Sequence, residues 1–429
     1  MAERMDLKAR KGWHGAVWGL ILLSCPAISL AVPPEFYLGY DARYSDNIET
    51  AAEQEQSDLE NRFSLRGNYQ SDPGKCVASV DGEVAYSKYT EDTYDPETEI
   101  NGGAVGRCEL ARGLSWEVED QIREMTRSSR QSDTPDNRTR KNIFRTGPDY
   151  RLRLSSVDSI QLSSRYENTE FNDPEDTDSE RVTGSVAWNH LFAPDLSAGI
   201  SASVSDVELD TSAEIRTKTV NATFSERWAA TTASGSLGVS EIETELGPSR
   251  QTSDGFVGSL GVTRGLDSGA QVFLRASREL TDQTSDLDVR FNEFTFELTD
   301  SSTVEATTIE TGLNKPFNNG DTLSVLVFAS RSDYLDSEEQ EDQSGLSAGY
   351  TRRVTPLLSA TANARYEYLR FESDQSDDQI VGLNIEMIYR ATRNTDLAAS
   401  IGRNERTSDI RAQEYEENWV QLSIDYRLW

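Results

Sequence analysis

The chain has 429 residues, of which 74 are acidic and 42 are basic, so its formal net charge is −32 at pH 7. Phosphate backbones repel such an acidic chain, which argues against nucleic acid as a partner. A mean hydropathy of −0.61 and 27% charged residues would suit a soluble or partly disordered protein. The alternation of apolar and polar residues along the chain indicates a different class.

Residues 1–31 have the parts of a secretory signal peptide. A basic leader at 4–11 precedes a short apolar run at 16–23, and residues 29–31 form a small-x-small cleavage pattern. The run is far below the roughly 20 residues that a spanning helix needs. In the alternative, a lipoprotein signal, Cys25 would become the acylated first residue, but its neighbours Leu23 and Pro26 fit that motif poorly. We expect cleavage near Ala31, which removes four basic and two acidic residues and leaves a formal charge of −34.

From residue 36 onward the chain repeats one pattern, in which apolar and polar side chains alternate at period two. The segments 36–44, 62–69, 150–154, 196–204, 271–276 and 381–389 carry it. The final stretch, 416–429, is the clearest, with the apolar set Val420, Leu422, Ile424, Tyr426 and Leu428 opposed by Gln421, Ser423, Asp425 and Arg427. Such alternation predicts strands with one apolar and one polar face.

These strands predict an all-β fold, a transmembrane antiparallel up-and-down β-barrel. Beyond residue 31 no apolar run is long enough for a membrane helix, and a barrel keeps mean hydropathy low because every second residue faces water. Tight connections at 71–74, 112–113, 193–195, 267–268, 318–320, 355–356 and 393–395 alternate with longer acidic ones at 90–99, 172–179, 336–342 and 372–378. We count about 20 strands, with 16–22 possible, and an even count places both ends at the periplasmic rim.

Residues 32–429 are therefore expected to form a single barrel domain. A barrel near twenty strands should enclose an aqueous channel. Since the first candidate strand begins close to the cleavage site, no separate plug domain is expected. Anything that occludes the pore must then come from inward-folded loops, and the longest candidates are 125–141 and 281–302.

The last strand resembles the closing strand of bacterial outer-membrane barrels, although here Leu428 and not the terminal Trp429 belongs to the outward set. The strand pairs, the acidic loops and the phrase RELTD at 278–282 resemble the β-barrel porins encoded with bacterial exopolysaccharide and exosortase (PEP-CTERM) systems. The resemblance implies passage of polysaccharide or small solutes across the outer membrane of a Gram-negative cell. It also implies contacts with outer-membrane lipid and lipopolysaccharide, with the assembly machinery through the last strand, and with polysaccharide export components.

Arginine dominates the predicted lumen. Alternation places inside the barrel Arg62, Arg66, Arg107, Arg151, Arg153, Arg165, Arg181, Arg275, Arg365, Arg390 and Arg427, with Glu109, Glu167, Glu367, Glu386 and Asp425 among them. One interpretation is a network of cross-strand ion pairs that stiffens the wall. The other is a path for an anionic solute, because guanidinium groups bind carboxylates in bidentate fashion.

Two cysteines suggest a disulfide. Cys76 and Cys108 are equidistant from residue 92, so a simple hairpin brings them opposite each other near the periplasmic end, both on the lipid face. Secretion exposes them to an oxidising compartment. Two buried free thiols are the alternative.

The sequence offers little for catalysis, cofactors or metals. Beyond the leader there is one histidine, His190, which we expect at the periplasmic rim and which lacks a partner for zinc or general-base chemistry. The acidic run Asp173, Glu175, Asp176 and Asp178 does not have the spacing of a calcium loop, so we expect a solvated loop, although divalent ions could bridge it to lipopolysaccharide. A non-enzymatic channel is the leading hypothesis. A surface-display or adhesion barrel whose acidic loops bind a partner or divalent cations, and a soluble secreted β-protein, are the alternatives.

Overall fold

A computed structural model describes residues 33–291, 303–335, 337 and 339–428, and the predicted signal peptide and Trp429 lie outside them. Within these residues the chain forms twenty strands, as the alternation predicted. They are β1 Glu35–Ser45, β2 Asp58–Gln70, β3 Cys76–Tyr89, β4 Glu97–Ala111, β5 Leu114–Thr126, β6 Arg138–Arg153, β7 Asp158–Phe171, β8 Ser179–Ala193, β9 Leu196–Leu209, β10 Ala213–Arg227, β11 Thr231–Leu246, β12 Ser249–Gly265, β13 Gln271–Asp282, β14 Thr303–Pro316, β15 Thr322–Tyr334, β16 Gln340–Thr355, β17 Leu358–Phe371, β18 Ser376–Arg390, β19 Thr395–Ser408 and β20 Tyr415–Arg427. One short helix, α1 (Leu287–Arg290), and two 3₁₀ turns, Pro135–Asn137 and Arg411–Gln413, complete the described elements. No helix among them is long and apolar enough to cross a membrane.

The sheet closes on itself. Each strand pairs antiparallel with the next along the chain, and β20 pairs with β1 in a register that runs from Tyr37 with Arg427 to Ser45 with Trp419. The closed ladder leaves no edge strand among the twenty described strands. The protein is therefore an up-and-down β-barrel, and the predicted fold class is confirmed.

The barrel has an apolar outside and a polar inside. On β20 the outward residues Val420, Leu422, Ile424 and Tyr426 are 45–66% exposed, and Gln421 between them faces inward. Exposed aromatic side chains mark both ends of this apolar band, with Phe192, Trp228, Tyr389 and Tyr426 towards one rim and Tyr44, Tyr86, Tyr166 and Tyr366 towards the other. An apolar band between aromatic girdles is the surface of an outer-membrane barrel.

The two rims differ in their connections. At the rim that holds Glu35 and Arg427, here called the turn rim, all links are short: 71–75, 112–113, 154–157, 194–195, 228–230, 266–270, 317–321, 356–357 and 391–394. At the opposite loop rim most links are longer. The links 210–212, 247–248 and 372–375 are exceptions that the sequence did not predict. The strands that flank 247–248, β11 and β12, extend to 16 and 17 residues, and β18 begins at Ser376, inside the loop predicted at 372–378.

The strand β13 separates from β12 near the loop rim. β12 begins at Ser249 but pairs with β13 only from Gly258 onward, so the loop-rim end of β13 is released from β12. There Leu280 packs beneath β9–β12, in a buried cluster with Val207, Leu209, Ala213, Ile215, Ile242 and Val257. This departure carries the beginning of the β13–β14 loop, including α1, into the lumen.

Candidate functional site

The β13–β14 loop docks on the inner wall of β6–β8 through a buried ion pair. The side chains of Lys141 on β6 and Asp288 in α1 are both 0% exposed, and Nζ lies 2.9 Å from Oδ2. The ammonium also donates to the carbonyl oxygens of Gln283 and Ser285, at 3.2 and 2.6 Å. All donors of the lysine are thus used on the loop, and the burial of its charge is compensated.

Further contacts surround this pair. Arg145 Nη2 lies 3.0 Å from Asp286 Oδ2, and Arg181 Nη2 lies 2.9 Å from Asp282 Oδ2. Leu287 is fully buried in an apolar cluster with Phe291, Val304, Ala306 and Tyr334, against which Met125 and Phe171 pack. The loop therefore has its own small core inside the barrel, fixed to the wall by charges on either side.

The charges of the docked loop are compensated unevenly. Burial raises the pKa of the Asp288 carboxyl, and the Lys141 ammonium offsets only part of that effect. Burial acts in the same direction on Asp286, but there Arg290 and Arg145 outweigh it, and the pKa lies below its usual value. The docked position of Asp288 thus depends on one partner, whereas Asp286 has two.

The β5–β6 loop also reaches across the lumen, towards β17–β19. Arg130 donates to Asp374 Oδ2 at 2.7 Å and to Ser373 Oγ at 2.6 Å, and its guanidinium lies 4.2 Å from the ring centre of Phe371. Arg406 on β19 donates to the Arg130 carbonyl oxygen at 2.8 Å. The loop predicted at 125–141 and the described part of the loop predicted at 281–302 thus both lie across the mouth at the loop rim, and residues 292–302 lie outside the described residues.

The eleven arginines predicted to face the lumen differ in their partners. Nine form ion pairs: Arg62 with Glu99, Arg66 with Asp425, Arg107 with Glu117, Arg165 with Asp149, Arg181 with Glu167, Arg275 with Glu310, Arg365 with Glu367, Arg390 with Asp396 and Arg427 with Glu35. Among the residues that the structure describes, Arg151 and Arg153 have no side-chain partner, and both are exposed. Most of the lumenal arginines therefore belong to an ion-paired wall, and two near the turn rim remain available to a solute.

The acidic residues at the loop rim surround a positively charged side chain of the protein, Arg127. Arg127 lies 3.1 Å from Asp173, 3.4 Å from Glu175 and 3.1 Å from Asp176. Burial raises the pKa of Asp176, an effect that a hydrogen bond from Thr139 and the charge of Arg127 oppose. Within the described ranges no group of three or more His, Cys, Asp or Glu residues is arranged to hold a metal ion.

His190 lies on the outer face near the turn rim. Its Nδ1 is 2.8 Å from Asp158 Oδ1, and its ring stands between those of Trp188 and Phe192, with ring centres 6.0 and 4.6 Å away. This position among girdle aromatics separates the histidine from the lumen.

Cys76 and Cys108 are directly opposite each other in the β3–β4 register and are joined by a disulfide, with Cα atoms 4.0 Å apart. They share their face with Val80 and Ala104, which are paired in the same register. The covalent bond links neighbouring strands near the turn rim.

The sequence did not single out Lys141 or Asp288. The sequence predicts Lys141 at the end of the loop 125–141, whereas it lies on β6, in a lumen otherwise rich in arginine. Its partner lies 147 positions further along the chain, in a loop with no periodic pattern. The sequence signals are a lysine in or next to the β6 strand and an aspartate in the longest loop. Neither indicates that the two residues pair.

Comparison with known proteins finds one family model and several solved structures that are similar to this chain. Residues 342–428 match the family model described as "Putative beta-barrel porin 2". Among solved structures, a variant of the ferric enterobactin receptor PfeA from Pseudomonas aeruginosa has a TM-score of 0.48 and 10% identity, with 92% of this chain and 81% of that chain covered. OpdK from the same organism has a TM-score of 0.39 and 11% identity over 92% and 99% of the two chains. OccK3 (OpdO), also from P. aeruginosa, gives 0.42 and 13% over 92% and 96%. No curated protein matches the chain in sequence.

Proposed function

We propose that the barrel is an outer-membrane channel for hydrated polar solutes, and that the β5–β6 and β13–β14 loops close its outer mouth in the state described. The observation that carries the proposal is the combination of a closed ladder, a polar inner wall and a mouth crossed by loops held through side-chain contacts. Polar contacts of this kind can be broken and remade without disturbing the strand ladder. Passage then requires displacement of the loops and leaves the wall intact.

The loop rim faces the outside of the cell in this proposal, and the turn rim faces the periplasm. Outer-membrane lipid and lipopolysaccharide surround the apolar band, the assembly machinery recognises β20, and polysaccharide export components are partners at the periplasmic side. No reaction is catalysed. A display or adhesion role is less favoured, because the carboxylates of Asp173, Glu175 and Asp176 are engaged by Arg127 and so are less available to an external partner or cation.

Reconstitution in planar lipid bilayers tests the proposal. The wild-type protein should give infrequent conductance steps, and a variant in which 283–291 is replaced by a flexible Gly-Ser segment should conduct more often. Protein denatured by boiling is the control and should give none. If neither folded protein conducts, the barrel is not a channel, and recovery of the protein in the soluble fraction after cell lysis would exclude the outer membrane as its location.

A further inference from the structure

One aromatic side chain lies on the polar face of the closing strand. Trp419 stands between Glu417 and Gln421 and faces the lumen, while Val420 faces outward and is 50% exposed. The indole ring lies flat against Gly402 of β19, where a Cβ atom would collide with the ring. A glycine at this point allows the ring to rest on the sheet, and the side chain remains partly exposed.

The ring borders a cavity of about 410 Å³ in the inner wall. Its lining includes Ser347, Asn363, Arg365, Asn384, Asn404 and Trp419. Ligand sites of small molecules typically have volumes of roughly 300–1,000 Å³ and combine an apolar or aromatic surface with a few polar groups. We call this set the Trp419 patch.

The amide groups of the patch keep hydrogen-bonding atoms that no described protein group uses. Asn404 Nδ2 donates to Glu417 Oε2 at 2.8 Å, which orients the amide and leaves its carbonyl oxygen as an acceptor. In the part of the chain that the structure describes, the side-chain amides of Asn363 and Asn384 and the indole N–H of Trp419 have no hydrogen-bond partner. The amides of Asn363 and Asn384 each offer N–H donors and a carbonyl acceptor. They can therefore bind a ligand hydroxyl group, which both donates and accepts hydrogen bonds.

The ionic groups beside the patch are neutralised within the wall. Arg365 pairs with Glu367, and Arg43 pairs with Glu417 at 2.6 Å while its guanidinium lies 5.5 Å from the centre of the Trp419 ring. The patch therefore has no net positive charge to attract an anion. Its chemistry is neutral, with one aromatic face and several amides.

We infer that the Trp419 patch binds a neutral saccharide as it passes through the lumen. The C–H faces of a pyranose ring pack on the indole, and its hydroxyl groups bind the amides of Asn363, Asn384 and Asn404. The inference rests on the proposed channel function and names the class of solute. It assigns a binding role to residues that the ion-paired wall does not require.

Intrinsic tryptophan fluorescence and calorimetry of the folded, detergent-solubilised barrel test the inference, with maltohexaose and cellotetraose as probes. The wild-type protein should bind at least one of them, and Trp419→Ala should weaken binding roughly tenfold. The double substitution Asn363→Ala with Asn384→Ala should weaken it several-fold and does not touch the ring. Asn221→Ala, an inward amide on the opposite wall, is the matched control and should bind as the wild type does. A shift in gel migration on boiling establishes that each variant is folded.

Saccharide binding that is equal in the wild type and the Trp419→Ala protein would overturn the inference, as would no binding by the wild type. Tighter, Trp419-dependent binding of citrate would overturn the neutral class. The conductance experiment remains separate. A channel that conducts but binds no saccharide refutes only this inference, whereas saccharide binding without conductance refutes only the channel.

Discussion

Substitution of Lys141 by alanine should release the β13–β14 loop from the wall and so open the mouth of the channel. Asp288 would remain buried without its partner, and removal of one member of a buried ion pair typically costs about 3–5 kcal/mol. The carboxylate regains water when the loop leaves the wall, so the cost acts on the closed state alone. Because each 1.4 kcal/mol is tenfold, the ratio of open to closed loops should rise by roughly 10²- to 4 × 10³-fold.

Two companion variants sharpen this expectation. Asp288→Ala should have a smaller effect than Lys141→Ala, because the ammonium keeps the carbonyl oxygens of Gln283 and Ser285 as acceptors. Lys218→Ala removes a lysine from an exposed pair with Glu241, in which both side chains are about half exposed. Exposed pairs contribute at most about 1 kcal/mol, so this control should behave as the wild type.

The open probability of single channels in planar bilayers measures the effect directly. Tryptic cleavage after Arg290, which lies in the docked loop, is an independent measure and should accelerate in the same order of variants. Equal open probability and equal cleavage in folded Lys141→Ala and wild-type protein would refute the reasoning. Faster cleavage without increased conductance would show that the loop is released but does not control passage.

Three further predictions follow from the wall of the barrel. Titration of denatured, unreduced mature protein should detect no free thiol from Cys76 or Cys108, and two reactive thiols would contradict the bridge. In concentrated salt, where exposed loop charges are screened, reversal potentials should show a preference for anions that weakens in the Arg151→Ser, Arg153→Ser double variant. Arg165→Ser, which removes an ion-paired arginine, is its control and should change the preference less. Unheated protein should migrate differently from boiled protein on a denaturing gel, because a closed ladder resists detergent, and identical migration would contradict the barrel.

The local pattern of the sequence was sufficient for the ladder of strands. Period-two alternation fixes which side chains face lipid, since a slip of one residue would turn every apolar group of a strand into the lumen. This is why Val420 to Tyr426, the pairing of Cys76 with Cys108 and the inward arginines could be placed without a structure. The start of the turn at 154–157 could not be located, because Leu154 continues the apolar set of Tyr150 and Leu152.

The interior of the barrel was not predictable in the same way. Alternation shows that an arginine faces inward but not whether a carboxylate on another strand reaches it, and this separates Arg165 from Arg151. The docking of Lys141 on Asp288 depends on the path of β13 after it leaves β12, which is a tertiary property. Trp419 was overlooked because it occupies the polar set of a strand whose apolar set attracts attention.

The pairing of β1 with β20 also bears on how the molecule is made. The ion pair between Glu35 and Arg427 spans 392 positions of the sequence. Contacts so distant along the chain form late, since the entropy of closing such a loop must be met by contacts already in place. Until then β1 and β20 both expose unpaired N–H and C=O groups, which are templates for pairing with other chains. The barrel closes at one junction, between β1 and β20. Aggregation during biogenesis should therefore be most severe before these two strands pair.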